Sequence, residues 1–131
     1  QIRDGLKGSV FTPADPGWAT GKITARSDVT AGIVGNTEHS IDMAAKWITQ
    51  YPGQSVNYVE SHDNLTLADK ITSSVKGVSP AGIAQLSHFA TSVALLAQGV
   101  PFMQAGQEFL RSKNGDENSY KSSDEVNSLK W

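Results

Sequence analysis

The sequence predicts an α/β fold, in which parallel strands alternate with helices. Two short segments, Val56–Glu60 and Val100–Gln104, contain the β-branched, aromatic and other apolar residues that are typical of buried strands. A segment with helical periodicity, Ala81–Gln98, lies between them. Each strand-like segment runs into acidic, amide or imidazole side chains, as strands do at the catalytic face of a βα-barrel. We therefore expect two parallel barrel strands whose ends line one cleft.

Apolar spacing and turn residues predict the helices. In Ala81–Gln98 apolar residues recur at three- and four-residue steps, Pro80 suits the first turn, and Gly99 ends the helix. Leu67 and Ile71 are the expected inner residues of the helix that follows the first strand. The other predicted helices span residues 1–8 (a short helix or a strand-to-helix junction), 37–50 and 65–74.

The remaining segments are predicted to be loops. Ser9–Asn36 holds two prolines and four glycines, with only Phe11 and Trp18 as large anchors, which indicates a long loop. Arg111–Asp124 is predicted as a polar loop and Val126–Trp131 as the start of a further element. No domain boundary is visible within residues 1–131. Because two strands cannot make a parallel sheet that is covered on both faces, we expect a portion of a larger domain with exposed apolar strand edges.

Composition excludes several classes of function. The 131 residues carry a net charge of −2, which gives no electrostatic basis for binding nucleic acid or an anionic membrane. No apolar run approaches the roughly 20 residues that span a bilayer. The absence of cysteine excludes disulfides and thiolate metal sites, and it leaves secreted and cytoplasmic locations both open. The acidic loop Asn114–Asn118 does not have the spacing of a calcium-binding EF-hand, so no metal site is predicted.

The sequence Ser61-His62-Asp63 has the residue types of a hydrolase triad but not its arrangement. Adjacent strand residues point to opposite faces, and no Gly-x-Ser-x-Gly elbow exists, so nucleophilic serine chemistry is disfavoured. His62 and Asp63 can both face a cleft where the strand ends and the backbone turns. The alternative is that Asp63 or Asn64 caps the following helix, with His62 packed beneath it. The residues alone leave both interpretations open.

Two motifs carry a resemblance to a known family. V-N-Y-V-E-S-H-D-N at residues 56–64 resembles the seventh-strand motif of the alpha-amylase superfamily (family 13) of glycoside hydrolases. G-V-P-F-M-Q-A-G-Q-E at residues 99–108 resembles the eighth-strand motif. The flanking sequence at residues 3–11 and 109–127 resembles that of type I pullulanases. The resemblance implies a partial (β/α)8 TIM barrel, from about the end of the sixth strand through the eighth, and a retaining mechanism.

The resemblance also implies a role for each candidate site residue. Asp63 matches the carboxylate that stabilises the transition state at the sugar ring, and His62 and Asn64 match its substrate-binding neighbours. Glu108 matches a supporting acid on the eighth strand. The nucleophile and the acid/base of the family lie on earlier strands, upstream of this chain. The residues that match the pullulanase glucan-binding rim are Arg111, Asp116, Asn118 and Tyr120.

The function that the resemblance implies is hydrolysis of alpha-1,6-glucosidic linkages in pullulan, starch or glycogen, with an alpha-glucan and the rest of the barrel as partners. The isolated chain is expected to be inactive. Two alternatives stay open: an alpha-1,4-acting amylase of the same superfamily, and a non-catalytic glucan-binding fragment. No cofactor is implied, and calcium in a parent protein cannot be assigned to these residues.

Overall fold

The computed structural model describes residues 2–37 and 48–131, which form a mixed helical and sheet structure. The helix predicted over 37–50 lies mostly outside the described residues, and residues 48–50 are not helical. No helix in the part of the chain that the structure describes is long and apolar enough to cross a membrane. The helices are α1 (Ile2–Lys7), α2 (Arg26–Ile33), α3 (Leu67–Ser74), α4 (Pro80–Leu96) and α5 (Asp124–Asn127), and the strands are β1 (Val56–Asn57) and β2 (Val100–Pro101).

Strands β1 and β2 pair in parallel, as predicted, with Val56 opposite Val100. The amide of Val100 donates to the carbonyl of Ser55 at 2.8 Å, and the amide of Phe102 donates to the carbonyl of Asn57 at 2.9 Å. Both strands have two residues rather than the five predicted, and the paired ladder ends at Asn57 and Pro101, before the polar residues Glu60 and Gln104. Val56 and Val100 are each about half exposed, which agrees with the exposed apolar strand edges expected of a portion of a larger domain.

Helices α3 and α4 connect the two strands and confirm the periodicity argument. Leu67 and Ile71 of α3 are both buried, as expected from their spacing. Helix α4 starts where predicted, because Pro80 occupies its first turn and the hydroxyl of Ser79 accepts the amide of Gly82 at 3.1 Å. Its end was predicted two residues too late. The apolar core shared by these elements comprises Ile2, Leu6, Val29, Val59, Leu67, Ile71, Ala90, Ala94 and Ala97.

The prediction of an unbroken loop over Ser9–Asn36 is wrong, because α2 lies within it. This helix packs closely on α1 through small residues, and a Cβ added at Gly32 would lie 2.5 Å from the Cβ of Ile2. Serine, aspartate, threonine and glycine favour helices only weakly, so the sequence gives little local sign of α2. Phe11 is not an anchor, since it is 85% exposed, whereas Trp18 packs on Phe89 with ring centroids 5.6 Å apart.

The part of this segment that remains a loop is held by a buried lysine on α3. Lys70 is 1% exposed, and its Nζ donates to the carbonyls of Thr12, Pro13 and Asp15 at 2.7, 2.9 and 2.7 Å. Three acceptors satisfy all three protons of the ammonium, which is the condition for burying such a group. Burial lowers the pKa of Lys70, and the negative charge of Asp15 opposes that shift.

The chain after β2 is mostly irregular, as the polar composition predicts. Short 3₁₀ turns interrupt it at Gln107–Phe109 and Ser119–Lys121. Helix α5 begins at Asp124, two residues before the element predicted at Val126, because its acidic first turn favours a helix N-terminus. This irregular chain lies beside the segment that leaves β1, and together they enclose the candidate site.

Candidate functional site

A buried carboxylate, that of Glu60, fixes the segment between β1 and α3. Glu60 is buried, and its Oε2 accepts the amide of Leu67 at the start of α3 at 2.7 Å. Burial raises the pKa of Glu60, while the hydrogen bond from Leu67 and the ammonium of Lys7 oppose the shift. Lys7 is itself buried at the end of α1, and burial lowers its pKa to about 8 against the attraction of Glu60. These contacts fix the chain between β1 and α3, whereas the side chains of His62 and Asp63 in the same segment face solvent.

His62 and Asp63 project from the turn after β1. Their side chains are 83% and 73% exposed, and the imidazole Nε2 lies 3.5 Å from a carboxylate oxygen of Asp63. The interpretation in which Asp63 or Asn64 caps α3 over a packed His62 is wrong. Thr66 is the N-cap instead, and its hydroxyl accepts the amide of Asp69 at 3.2 Å. Asn64 adopts a left-handed backbone with φ of 64°, which turns His62 and Asp63 away from the helix.

A cavity of about 430 Å³ separates this turn from the chain that follows β2. It brings together five of the predicted site residues, and it does not include Asn64, Glu108 or Asp116 in its lining. The cavity wall mixes carboxylate, imidazole, guanidinium, amide and phenol groups. The predicted residues that line it are His62, Asp63, Arg111, Asn118 and Tyr120.

Arg111 reaches the cavity from a tight turn after β2. Its amide donates to the carbonyl of Gly106 at 2.9 Å, and its Nη2 donates to the carbonyl of Asn127 at 2.5 Å. Gly106 has a φ of 95°, and a Cβ added there would lie 2.8 Å from Cδ of Arg111. The turn therefore needs glycine for its backbone conformation and for the passage of the arginine side chain. Glu108 completes the turn, because its carboxylate accepts the amide of Gly106 at 2.9 Å.

Asp116 shapes the loop rather than lining the cavity. One carboxylate oxygen accepts the amide of Asn118 at 2.9 Å, and the other accepts the hydroxyl of Ser122 at 2.5 Å. The hydrogen bond from Ser122 is the main reason that the pKa of Asp116 lies below its ordinary value. These contacts set the path of the loop that carries Asn118 and Tyr120. Tyr120 lies on the outer rim with a largely exposed ring.

Lys113 also lines the cavity, although it was not among the predicted site residues. Lys113 is 3% exposed, and its Nζ donates to the carbonyl of His62 at 2.7 Å. Its own amide donates to a carboxylate oxygen of Asp69 at 2.8 Å. No local pattern reveals this role, because a lysine in a polar loop usually lies in solvent and its partner is 51 residues away. The cavity residues Gln104, Glu117, Ser119 and Asn127 were missed as well.

The cavity wall combines charged and neutral polar groups that can form hydrogen bonds with a polar ligand. Within residues 2–37 and 48–131 no group of three or more His, Cys, Asp or Glu side chains could hold a metal ion. The cavity wall offers hydrogen-bond donors and acceptors on both sides, and Tyr120 offers an aromatic face at the rim. Polyhydroxylated ligands need such a combination, because each hydroxyl both donates and accepts a hydrogen bond.

Comparison with known proteins places the chain beside one group of enzymes, although no family model matches it. It is 42% identical over 130 residues to a pullulanase of Bacillus subtilis, covering 99% of this chain and 18% of the relative. It is 43% identical over 79 residues to the chloroplastic pullulanase 1 of Arabidopsis thaliana, covering 60% of this chain and 8% of the relative. The chain therefore spans less than a fifth of the length of these curated relatives.

Solved structures agree over nearly the whole chain. The pullulanase of Bacillus acidopullulyticus superposes with a TM-score of 0.90 at 39% identity, covering 99% of this chain and 15% of that one. The pullulanase of Anoxybacillus sp. LM18-11 complexed with maltotetraose superposes with a TM-score of 0.88 at 42% identity, covering 99% and 18%. Both the sequence and the backbone path thus match one segment of these larger proteins.

Proposed function

Because this chain belongs to the pullulanases, we propose that it forms one wall of the glucan-binding cleft of a debranching glycosidase. The reaction is hydrolysis of alpha-1,6-glucosidic linkages in pullulan, starch or glycogen by a retaining mechanism. Such a mechanism needs a nucleophile and an acid/base carboxyl group about 5 Å apart. In this proposal both groups come from the rest of the barrel, outside these 131 residues. The chain by itself then binds glucan without hydrolysing it.

The observation that carries this proposal is the cavity between the His62–Asp63 turn and the chain after β2. Asp63 acts in it by accepting hydrogen bonds from sugar hydroxyls. These bonds strengthen as the ring flattens toward an oxocarbenium ion, so they lower the barrier more than they tighten ground-state binding. His62 donates to the same sugar. The large exposed fraction of both side chains supports this role, because within residues 2–37 and 48–131 each has a polar side-chain contact only with the other.

The opposite wall holds the neighbouring sugars. Arg111 and Asn118 supply donors, and the ring of Tyr120 offers a stacking surface. Asn64 contributes an amide at the edge of the same turn. Their geometry depends on residues that do not face the cavity, with Asp116 setting the loop path and Glu108 holding the turn at Gly106. Asp116 and Glu108 are therefore supporting residues in this proposal. For Asp116 this differs from the sugar-binding role that the sequence predicted.

The architecture proposed for the parent protein is a (β/α)8 barrel in which β1 and β2 are the seventh and eighth strands. The parallel pairing and the connection through α3 and α4 support this assignment. Val56, Val100, Phe102 and Met103 are all substantially exposed around this strand pair. The remainder of the barrel covers them in the complete protein.

The test is the substitution Asp63→Asn in the full-length protein that carries this chain, assayed by reducing-end release from pullulan and amylose. We expect kcat on pullulan to fall about 1,000-fold or more, because an amide no longer stabilises the developing positive charge. Asp28→Asn on α2 is the matched control, since it makes the same chemical change at a residue that does not line the cavity, and its activity should equal that of the wild type.

Each other outcome identifies a different error. A kcat for Asp63→Asn within about tenfold of the wild type would remove the transition-state role. Hydrolysis of amylose but not pullulan would favour the amylase alternative. Saturable binding of maltotetraose without turnover of either polymer would favour a glucan-binding protein. Hydrolysis of pullulan by the 131-residue chain alone would contradict the assignment of the nucleophile and acid/base to the rest of the protein.

A further inference from the structure

The turn that carries His62 and Asp63 has very little to hold it in place. Both side chains are largely exposed, so packing does not fix them. Among the described residues, one hydrogen bond reaches the backbone of residues 61–64, and its donor is Nζ of Lys113 at 2.7 Å from the carbonyl of His62. The position of the turn therefore depends on a side chain from the opposite wall of the cleft.

Lys113 is itself held firmly, so it can serve as an anchor. Its amide donates to one carboxylate oxygen of Asp69 at 2.8 Å, and the hydroxyl of Ser112 donates to the other at 2.6 Å. Asp69 lies in the first turn of α3, where its own amide is capped by Thr66. The loop after β2 is thus tied to the helix that follows β1. Lys113 then extends this link to His62 in the turn between them.

Electrostatics also favour a positional role for Lys113 over a purely stabilising one. Burial and the nearby Arg111 lower the pKa of Lys113, while Glu60, Asp116 and Asp63 act to raise it. A buried ammonium is weak evidence for stabilisation, because its desolvation cost can exceed the energy of its contacts. A hydrophobic side chain of similar length could fill the same volume, but it could not bind the carbonyl of His62.

We propose that Lys113 is a positioning residue for the reaction, which fixes the backbone of the His62–Asp63 turn from the loop after β2. This inference rests on the proposed function, because it assumes that Asp63 acts on the sugar ring. A displacement of about 1 Å in a reacting group can lower a rate by about 100-fold. Loss of the Lys113 contact therefore reduces kcat. It has little effect on KM, because the glucan-binding residues Arg111, Asn118 and Tyr120 are unchanged.

Lys70 supplies a matched control for the removal of a buried lysine. It is as buried as Lys113, and its ammonium also binds backbone carbonyls. Its acceptors lie in the loop at Thr12–Asp15 rather than in the turn at His62. Lys70→Met and Lys113→Met thus remove the same kind of group, with only the second touching the cleft.

The experiment compares Lys113→Met, Lys113→Arg and Lys70→Met in the full-length protein that carries this chain. We expect Lys113→Met to lower kcat on pullulan by about 10- to 100-fold with KM within about threefold, because Asp63 acts mainly in the transition state. Lys113→Arg keeps a hydrogen-bond donor. Its log kcat should lie at least about a third of the way from that of Lys113→Met back to that of the wild type. Lys70→Met should lower the Tm yet keep kcat within about threefold of the wild type.

Crystal structures of the three variants make the test independent of the substrate. The Cα of Asp63 should move by about 1 Å, or residues 61–64 should lose order, in Lys113→Met but not in Lys70→Met. An unchanged turn in Lys113→Met, or an unchanged kcat in a pullulan-hydrolysing wild type, overturns the inference. A wild type without glucan hydrolysis overturns the proposed function instead, and the crystal structures then still decide whether Lys113 positions the turn.

Discussion

The helical layer and the loops at the strand ends are stabilised by different interactions. The layer formed by α1–α4 buries apolar and small side chains against one another, as at Leu6 and at the α1–α2 contact. The strand-end loops bury few apolar side chains and depend on hydrogen bonds such as those of Asp69, Asp116 and Lys113. Changes in the first region should therefore reduce stability, whereas changes in the second should alter geometry at the cavity before they unfold the protein.

The two buried lysines show the same difference within one residue type. Lys70 links the helical layer to the loop at Thr12–Asp15, and neither Lys70 nor its three acceptors line the cavity. Among the described residues, the ammonium of Lys113 has one carbonyl acceptor, which belongs to His62. Burial alone therefore does not tell whether a lysine serves the fold or the site, and the identity of the acceptor decides it.

The largest expected effect on stability comes from the helical layer. Leu6→Ala should reduce the free energy of unfolding by about 2–5 kcal/mol, because it removes a fully buried side chain and leaves a cavity. Ile23→Ala removes a similar side chain from an exposed site and should change stability by less than about 0.5 kcal/mol. Thermal or urea unfolding measures both. Equal losses in the two variants would contradict the packing described for the helical layer.

The free energy of unfolding is expected to depend on pH through Lys7, which is buried at the end of α1 near Glu60. Below about pH 8 the ammonium of Lys7 is charged in the folded and unfolded states, so its burial cost is fully present. Between about pH 8 and 10.5 the folded protein loses this proton while the unfolded chain retains it, so stability rises with pH. A shift of this size corresponds to up to about 3 kcal/mol.

Lys7→Met isolates this contribution from other titrating groups. The unfolding free energy of the wild type relative to Lys7→Met should increase as the pH rises from 8 to 10.5. Chemical unfolding at several pH values, with the two proteins measured in parallel, checks the expectation. A constant difference across this range would show that Lys7 has an ordinary pKa in the folded protein.

A substitution in the strand-end loops is expected to reduce stability less than Leu6→Ala does and to weaken glucan binding more. Gly106→Ala places a side chain at a φ of 95° and against Arg111, which should cost about 1–2 kcal/mol. Because Arg111 must then move, affinity for maltotetraose should fall more than the change in stability suggests. Calorimetry on Gly106→Ala beside Gly21→Ala, where φ is 105° but no atom is close, separates strain from displacement.

The smallest expected effect compares two helix caps. Thr66→Ala and Ser79→Ala each remove a hydroxyl that accepts an amide at a helix start, and each should cost about 1 kcal/mol. Only Thr66 supports Asp69 and, through it, Lys113. Thr66→Ala should therefore also lower activity on pullulan, whereas Ser79→Ala should not. Equal activity in the two variants would show that the cap of α3 does not influence the cavity.

The sequence by itself determined the parts of this protein that depend on local pattern. Apolar periodicity located α3 and α4, the β-branched segments located two strands and their parallel pairing, and motif resemblance identified the pullulanases. It also selected His62 and Asp63, which the structure brings beside Arg111, Asn118 and Tyr120. These features follow from residues close together in the chain or from a motif that is itself local.

Tertiary structure alone decided the features that depend on distant neighbours. The sequence of α2 has little helical propensity. The helix is stabilised instead by its close contact with α1 at Gly32. Strand ends were predicted too late, since the ladder stops at Asn57 and Pro101 although apolar and aromatic residues continue beyond both positions. Lys70 and Lys113 have the same sequence character as exposed lysines, and their burial becomes favourable only where carbonyls from elsewhere in the chain converge on them.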